Sequence, residues 1–419
     1  MAASFGAYGA LLSDPRARAF TLAGFVARMP IAMVALSVVL LVTATTGSYG
    51  RAGVITAVAT VTGAFTAPLW GRLIDRIGQA RVLIAAALLC NISLALLAVT
   101  VVAGAPLLVS LVTAVGVGLG FSSAGSCVRA RWSHRLQGGP LLNTAYAWEA
   151  VVDELVFIVG PVLATFLATS AYPAAGVGAC VLLGLIGALA LARLRDTEPP
   201  LGSSQPAAGD VSIGLPVGPL IPIVVASAAL GALFGSMELV VVAFAKEADV
   251  LPYMGLMIMV WAFGSLVAGL LTGAVDWAMS ATRRFRLGAV LLACSVLPLP
   301  FASHPVLVTV LLLLSGFFIA PTLIAAVAVT QEVVPVARLT EALGWSSMGM
   351  ATGVAAGAAG AGQILDLYDS RAGFWVVVGI GALLILSAAC LRTPPEPASV
   401  EPASVEPASV EPSEELERS

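Results

Sequence analysis

The sequence predicts an all-α, multi-pass membrane protein with twelve spanning helices arranged as two related bundles of six. Two observations lead to this fold class. The 419 residues are 59% hydrophobic and 10% charged, with a mean hydropathy of +1.01, far above that of soluble domains. The apolar segments run for about 20 residues without the alternation of β-barrel strands, which is the pattern of a membrane helix.

Twelve apolar runs define the predicted spans, numbered 1 to 12 in chain order. Backbone groups in a bilayer must form their hydrogen bonds within the segment, so each run is predicted to be a helix. The predicted spans cover 19–46, 50–70, 82–103, 106–128, 142–168, 173–194, 218–243, 252–275, 287–303, 305–330, 341–364 and 372–391.

Polar segments divide these spans into domains. Residues 1–18 form a cytoplasmic lead-in, and residues 19–195 form the N-terminal six-helix bundle. Residues 196–217, rich in proline, serine and glycine, have the composition of a flexible cytoplasmic linker. The C-terminal bundle covers 218–392. An acidic, proline-rich tail with a repeated Glu-Pro-Ala-Ser-Val unit covers 393–419 and is expected to be disordered.

The two bundles share sequence positions at a constant offset. Trp148 and Trp345 are separated by the same 197 positions as Gly160 and Gly357, so spans 5 and 11 align without a gap. A shift that recurs in other span pairs, at 198 and 199, favours an internal duplication.

The basic residues indicate how the chain crosses the membrane. Most arginines fall on one side of the alternating topology, while Arg51, Lys246 and Arg371 fall on the other. Because cytoplasmic loops carry the excess of Lys and Arg, we expect both termini in the cytoplasm and the protein in the cell membrane.

A short polar stretch joins spans 2 and 3 and contains Gly71, Asp75, Arg76, Gly78 and Arg81. The glycines permit close backbone approach at a turn. The aspartate can face the N-terminus of a neighbouring helix, whose partial positive charge favours a carboxylate. The alternative is a solvated basic loop that serves only topology.

This stretch resembles the loop between the second and third spans of the major facilitator superfamily, whose pattern is roughly G-x-L-a-D-R-x-G-r-r. Gln79 and Ala80 depart from the basic pair of that pattern. With the twelve spans, the central linker and the related halves, the resemblance extends to residue 392. It implies that Asp75 contacts the start of span 11 near residue 340 and holds the cytoplasmic side closed. The corresponding segment 269–286 lacks the Asp-Arg pair, so we expect an asymmetric latch.

Span 5 carries three acidic residues at membrane depth, Glu149, Asp153 and Glu154. The first two are four residues apart and therefore share one helix face. Intramembrane acids are costly and often mark ion pathways, and two close carboxylates do not both ionise easily. We expect them to exchange protons. Arg28, the sole basic residue predicted well inside a span, is their expected partner. A purely structural pairing is the alternative.

Gly160 and Pro161 partly match the fifth-span motif that this family associates with antiporters, which favours export. Val156 replaces its first glycine, and a helix-packing kink explains the pair equally well. Residues 116–120 of span 4 also lack the arginine typical of drug and proton antiporters.

The substrate cavity is expected between the halves, because spans 1, 4, 7 and 10 line it in this family. Glu238 of span 7 is the candidate for contact with substrate or a proton, and a structural acid is the alternative. Weaker candidates are Asn91, Trp261 and Phe317. Aromatic faces suit a hydrophobic ligand, although they pack against helices or lipid more often.

Several classes of protein are excluded. The chain has no Gly-Lys-Ser/Thr P-loop, since its one lysine is Lys246, and it has no His-Glu-x-x-His motif. Its five cysteines lack metal-like spacing. We therefore expect no cofactor, no metal, no nucleic-acid partner and no enzymatic activity.

We expect a secondary active transporter that works by alternating access, as a monomer in the lipid bilayer, with a small-molecule substrate and protons as partners. The favoured activity is proton-coupled efflux of a small hydrophobic or amphipathic compound. Uptake or sugar efflux on the same fold, and a non-transporting membrane sensor, are the alternatives.

Overall fold

A computed structural model describes residues 9–121, 124–137, 139, 141–200, 217–273, 279–334 and 338–391, and within these ranges it is nearly all helical with no strand. Spans 1 to 6 are Pro15–Thr46, Tyr49–Ile77, Gln79–Val102, Leu107–Leu119 with Ala124–Leu136, Leu142–Ser170 and Ala175–Arg193. Spans 7 to 12 are Val217–Glu247, Met254–Gly273, Ala281–Val296, Pro305–Gly316 with Ile319–Val333, Leu339–Leu367 and Ser370–Cys390. The predicted all-α membrane fold is confirmed.

Eleven helical segments within the described residues are long and apolar enough to cross a membrane. Span 11 is not one of them, although its 29 residues exceed the length that a bilayer requires. Its sequence is rich in glycine and alanine, and it packs between span 2 and span 7. Small residues let helix backbones approach closely, so this helix meets its neighbours instead of presenting a strongly apolar surface to lipid.

Spans 4 and 10 are each broken near the middle, which the uninterrupted apolar runs did not predict. The first break follows Leu119, and the second separates Gly316 from Ile319. The two breaks are 197 positions apart, at the offset of the proposed duplication. Span 4 also continues to Leu136, eight residues beyond its predicted end, so Arg129 and Arg131 belong to the helix. The predicted end of span 4 is therefore wrong by eight residues, while the prediction that Arg28 is the sole basic residue well inside a span stays a prediction.

The first helix begins inside the predicted lead-in. Asp14 caps it, accepting a hydrogen bond from the backbone N–H of Arg16, and Pro15 is its first residue. Burial raises the pKa of Asp14, but the hydrogen bond and ion pair from Arg135 of span 4 outweigh burial and leave the pKa below its ordinary value. Most of the predicted linker and the whole predicted tail lie outside the described residues.

The two bundles meet near the outer end, meaning the end of the spans opposite the chain termini. Gly53 of span 2 lies against Ala358 of span 11, and Gly255 of span 8 lies against Pro161 of span 5. Toward the inner end, the span 2 residue Phe65 is 60% exposed. These backbone contacts close the halves on the outer side, whereas the side chain of Phe65 on the inner part of span 2 is mostly uncovered.

Spans 7 and 11 pack backbone to backbone within the C-terminal bundle. A Cβ atom at Gly353 would lie 1.9 Å from the carbonyl oxygen of Ala228, and one at Gly235 would lie 2.1 Å from that of Val354. No side chain fits at these distances, so glycine is required on both sides of the contact.

Candidate functional site

The N-terminal bundle holds a buried ion-pair cluster around Arg28. Its guanidinium donates to Glu149 at 2.6 Å, to Asp153 at 2.8 Å and to the carbonyl oxygen of Gly24 at 3.0 Å. The indole N–H of Trp132 donates to the second oxygen of Glu149 at 2.9 Å. Spans 1, 4 and 5 thus converge on two carboxylates. The family resemblance implies that spans 1 and 5 are neighbours, and the spacing of the acids places both on one face of span 5.

A second arginine completes this cluster. Arg129 of span 4 donates to the oxygen of Asp153 that Arg28 does not contact. Two guanidinium groups therefore balance two carboxylates, whereas the sequence argument considered the carboxylates with one arginine. Arg28 and Glu149 are 1% and 0% exposed, while Arg129 and Asp153 are 42% and 34% exposed. The cluster has a dry half and a half that water reaches.

Glu154 lies beside this cluster without joining it. It is partly buried, and it lies seven residues, about two helical turns, before Pro161, which contacts span 8. Glu154 is therefore on the face of span 5 that turns toward the C-terminal bundle. Gly160 packs on the other side, against Ala32 of span 1, so the Gly-Pro pair occupies a junction between helices.

The polar stretch at the inner end of span 2 is exposed. Gly71, Asp75, Arg76 and Arg81 are all exposed, and within the described residues Asp75 forms no hydrogen bond or ion pair. The contact of Asp75 with the start of span 11 stays a prediction, because residues 335–337 and the side chain of residue 340 lie outside the described part of the chain. Gly78 makes the turn, with φ at +92°, where glycine is favoured.

Gly71 does not have the role in the turn that its sequence position suggested. It lies within helix Tyr49–Ile77, and a Cβ atom there would meet open space. Gln79, one of the two departures from the family pattern, is buried and accepts a hydrogen bond from Arg131 at 2.9 Å. The carboxylate of Glu198 accepts from the backbone N–H of Gln79, at the start of span 3. These contacts fix the loop within the N-terminal bundle.

A carboxylate joins the two bundles at the outer end. Asp366, near the end of span 11, accepts hydrogen bonds from the backbone N–H groups of Tyr49 and Gly50 at 2.5 and 2.9 Å and from the hydroxyl of Ser48 at 2.6 Å. It thereby caps the N-terminus of span 2, whose free N–H groups and positive dipole end favour a negative charge. The ammonium of Lys246 lies 5.8 Å from the ring centre of Tyr49 and adds a further contact between the halves.

A small cavity of about 20 Å³ lies between the two bundles, lined by residues of spans 1, 2, 7 and 11. Its lining consists mostly of small apolar residues together with Thr56 and Thr60. Glu238 is the one charged residue in the lining, as expected for a cavity residue on span 7. Within the described residues its carboxylate has no hydrogen bond or ion pair.

The other predicted cavity residues lie elsewhere. Asn91 is buried, donates to the carbonyl oxygen of Ala87 in its own helix at 2.8 Å and lies against Gly184 of span 6. Trp261 is 5% exposed and stacks at a tilt on Phe234. Phe317 is half-buried at the break in span 10. None of the three lines the cavity that contains Glu238.

The sequence did not predict three residues of these polar sites, namely Arg129, Trp132 and Asp366. Arg129 and Trp132 were assigned to a loop because the apolar run of span 4 ends before them. Asp366 lies just beyond the predicted end of span 11, where an acid needs no partner, and the repeat gives no signal for it because position 169 of span 5 is a threonine. Within the described residues no group of histidine, cysteine, aspartate and glutamate side chains could hold a metal ion.

Two six-helix bundles with a small cavity between them form an architecture found in membrane transporters. The sequence matches the Major Facilitator Superfamily profile over residues 20–275 and 251–417. The chain therefore belongs to the Major Facilitator Superfamily, and it is a multi-pass membrane transporter and not an enzyme. Among curated proteins no sequence matches it.

Solved structures confirm this fold. The nucleoside transporter NupG superposes with a TM-score of 0.72 at 12% identity, covering 91% of this chain and 100% of NupG. A bacterial homologue of the iron transporter ferroportin superposes in its inward-facing state with a TM-score of 0.68 at 15% identity, covering 90% of this chain and 97% of that chain. Its outward-facing state gives 0.61 at 16% identity, with 90% and 98% covered.

Proposed function

We propose that this transporter works by alternating access and couples the entry of protons to the export of a small hydrophobic or amphipathic compound. Such transporters open a central cavity first to one side of the membrane and then to the other. The contacts of Asp366 with span 2, together with the exposed inner part of span 2, support an inward-facing state. The proposal needs an outward-facing counterpart, in which the outer contacts break.

We also propose a cell-membrane location with both termini in the cytoplasm. The arginines concentrate at the end of the bundle that carries the termini, and cytoplasmic loops carry such an excess. A monomer suffices for this activity, because the cavity lies between two halves of one chain.

The observation that carries proton coupling is the position of Asp153 between Arg28 and Arg129. Asp153 is 34% exposed, so water reaches it, while Glu149 is fully buried with Arg28. Protonation of Asp153 would leave two guanidinium groups with one carboxylate, which is a net charge of +1 on the cluster. Because the three groups belong to spans 1, 4 and 5, that change would alter how these spans pack.

The surfaces of the two halves that meet around Glu238 support a hydrophobic or amphipathic substrate over a sugar, because in the proposed cycle these surfaces separate and line the substrate path when the outer contact opens. Sugars require several convergent hydrogen-bonding groups, whereas this lining offers two threonines and one carboxylate among small apolar side chains. The nucleoside and iron transporters that share the fold differ in substrate, so the fold itself transfers no substrate to this chain.

The test is flux in proteoliposomes with an imposed pH gradient, using a panel of apolar, amphipathic and sugar compounds. Asp153→Asn and Glu149→Gln should each reduce gradient-driven flux by about tenfold or more. Asp249→Asn, at an exposed acid of the outer loop, is the matched control and should behave as wild type.

If both cluster variants retain gradient-driven flux, the assignment of proton coupling to this cluster is wrong. Movement of sugars alone would favour sugar efflux. A panel from which no compound moves would favour a membrane sensor.

A further inference from the structure

The cavity between the bundles leaves one carboxylate without a counter-charge. Glu238 faces residues of three neighbouring helices, and none of the residues that line the cavity from those helices is charged. They are Ala35 and Val39 from span 1, Thr56, Ala57 and Thr60 from span 2, and Val354, Ala355 and Ala358 from span 11. The nearest charged residue on its own helix is Lys246, eight positions and about 12 Å away along the axis.

This isolation distinguishes Glu238 from the acids of span 5. Glu149 and Asp153 are balanced by two arginines, whereas Glu238 has no ion pair within the described part of the chain. A carboxylate without a partner in an apolar cavity is costly in its charged form, and the cost disappears when it binds a proton.

The cavity is too small for the transported compound in this state. Its volume of about 20 Å³ has room for about one water molecule and is far below the roughly 300–1,000 Å³ of pockets that enclose drug-sized ligands. The hydroxyl of Thr56 already donates to the carbonyl oxygens of Ala52 and Gly53, each at 3.0 Å. A proton on Glu238 requires no further space and no further ligands.

The cavity lies in the contact region that holds the outer ends together. Gly235, three residues before Glu238, packs on the backbone of span 11 at Val354. Ala358, which lines the same cavity, also lies against Gly53 of span 2. The closed outer contact and the surroundings of Glu238 are therefore built from the same residues.

We propose that Glu238 is a proton-binding site that keeps the outer side closed while it is protonated and favours opening of the outer side when it is charged. In the closed state the carboxylate lies between four helices that offer no compensating charge. In the open state water from outside surrounds it, and the charged form is stable. A proton that enters from outside therefore closes the outer side, and its release toward the cytoplasm prepares the protein to open again.

The proposal rests on the alternating access proposed above but not on export or on a particular substrate. Its test therefore measures conformation in the absence of flux. Spin labels at positions 172 and 301 report the distance between the two bundles at the outer end, because Tyr172 and Phe301 belong to opposite bundles and are 54% and 67% exposed. The five native cysteines are replaced first, and the labelled protein must keep its thermal stability.

In the wild-type background, the ratio of outer-open to outer-closed molecules should rise with pH, by at most about tenfold per pH unit for one coupled proton. Glu238→Gln should remain closed and lose this dependence between about pH 5 and pH 9. Glu238→Asp should retain it, because it keeps a carboxylate. Asp249→Asn, the matched control, should keep the wild-type dependence.

A wild-type pH response in Glu238→Gln would overturn the proposal. A second experiment replaces sodium with choline at fixed pH. If closure of the outer side then depends on sodium, the ligand of Glu238 is not a proton and the proposal is wrong. If Glu238→Gln does not fold, loss of the pH response in Glu238→Ala serves the same purpose. A pH response through Glu238 together with proton-independent flux would refute the proposed coupling but not this site.

Discussion

Arg28 is the residue on which the buried polar contacts of the N-terminal bundle converge. It is 1% exposed and reaches acceptors in spans 1 and 5. Its removal would leave Glu149, which is fully buried, with only the indole N–H of Trp132. A buried charge whose partner is removed is strongly destabilising, by about 3–5 kcal/mol.

Arg28→Met should therefore lower the melting temperature of the purified protein, and the double variant Arg28→Met with Glu149→Gln should recover part of the loss because no buried charge remains unpaired. Thermal unfolding in detergent measures both. Arg193→Met, at an exposed arginine of span 6, is the control. Equal stability of Arg28→Met and the control would show that the cluster does not stabilise the bundle.

The sequence was sufficient to pair Arg28 with the acids of span 5, because a charge at membrane depth needs a partner and positions 149 and 153 share a helix face. It was not sufficient to include Arg129. A hydropathy argument ends a span where arginines begin, whereas span 4 continues to Leu136 because the arginine finds a carboxylate on span 5. Tertiary contacts, which a single helix cannot reveal, decide such boundaries.

At the level of the helices, the outer contact depends on one capping carboxylate. Asp366 accepts two backbone hydrogen bonds at the start of span 2 and one from Ser48. Asp366→Asn keeps an acceptor but loses the charge, which is worth about 0.3–1 kcal/mol at a helix N-terminus. Asp366→Ala also loses the hydrogen bonds, at a cost of about 0.5–2 kcal/mol.

We expect the outer-open population to increase in the order wild type, Asp366→Asn, Asp366→Ala, by about twofold to fivefold for the first variant and more for the second. Distances between spin labels at the outer end measure this series. If neither variant changes the outer-open population, the cap forms when the outer side closes but does not stabilise the closed state.

The packing of span 7 against span 11 gives a second prediction at the level of the helices. Gly353→Ala places a methyl group where the carbonyl oxygen of Ala228 already lies, so the two helices must separate and the melting temperature should fall. Gly360→Ala, in the same helix, meets open space and should leave stability unchanged or slightly raised. A similar loss in both variants would indicate an effect of helix propensity and not of packing.

The breaks in spans 4 and 10 are features of the helices that the sequence did not predict. Apolar residues continue through both breaks, so hydropathy sees one span where the structure has two helices. The segments at Leu119 and Gly316 end where neighbouring helices approach. A Cβ at Gly120 would lie 2.2 Å from the backbone nitrogen of Cys90, and one at Gly316 would lie 2.2 Å from the carbonyl oxygen of Trp261. These close contacts between backbones depend on where the partner helix lies, which the sequence of one span does not specify.

For the whole molecule, span number and the relation between the halves followed from composition and repeated positions, because membrane helices need about 20 apolar residues each. The side on which the two halves are closed did not follow from the sequence. Asp75 and Asp366 stand at opposite ends of the same pair of helices, spans 2 and 11, and the sequence carries both carboxylates. Among the described residues Asp366 reaches the partner helix, while Asp75 is exposed and has no hydrogen bond or ion pair. One sequence encodes two states, and local patterns do not say which is more stable.

This opposition predicts that Asp75→Asn and Asp366→Asn shift the molecule in opposite directions. In this structure, with its outer side closed, Asp75 has no hydrogen-bond or ion-pair partner to lose within the described residues, so Asp75→Asn should leave that state and its melting temperature unchanged. It should weaken the outward-facing state, in which we expect Asp75 to face the start of span 11. Transport should slow, whereas the set of recognised compounds should stay the same, because neither carboxylate lines the cavity that contains Glu238.

The double variant Asp75→Asn with Asp366→Asn distinguishes two opposing latches from independent effects. If each carboxylate stabilises one state by a similar free energy, the double variant should return to the wild-type ratio of the two states, since the two shifts cancel. Label distances at the inner and outer ends measure the ratio, and flux measurements on the same variants test recognition. A double variant that remains as inward-facing as Asp75→Asn, or a changed set of transported compounds, would contradict this division between latches and cavity.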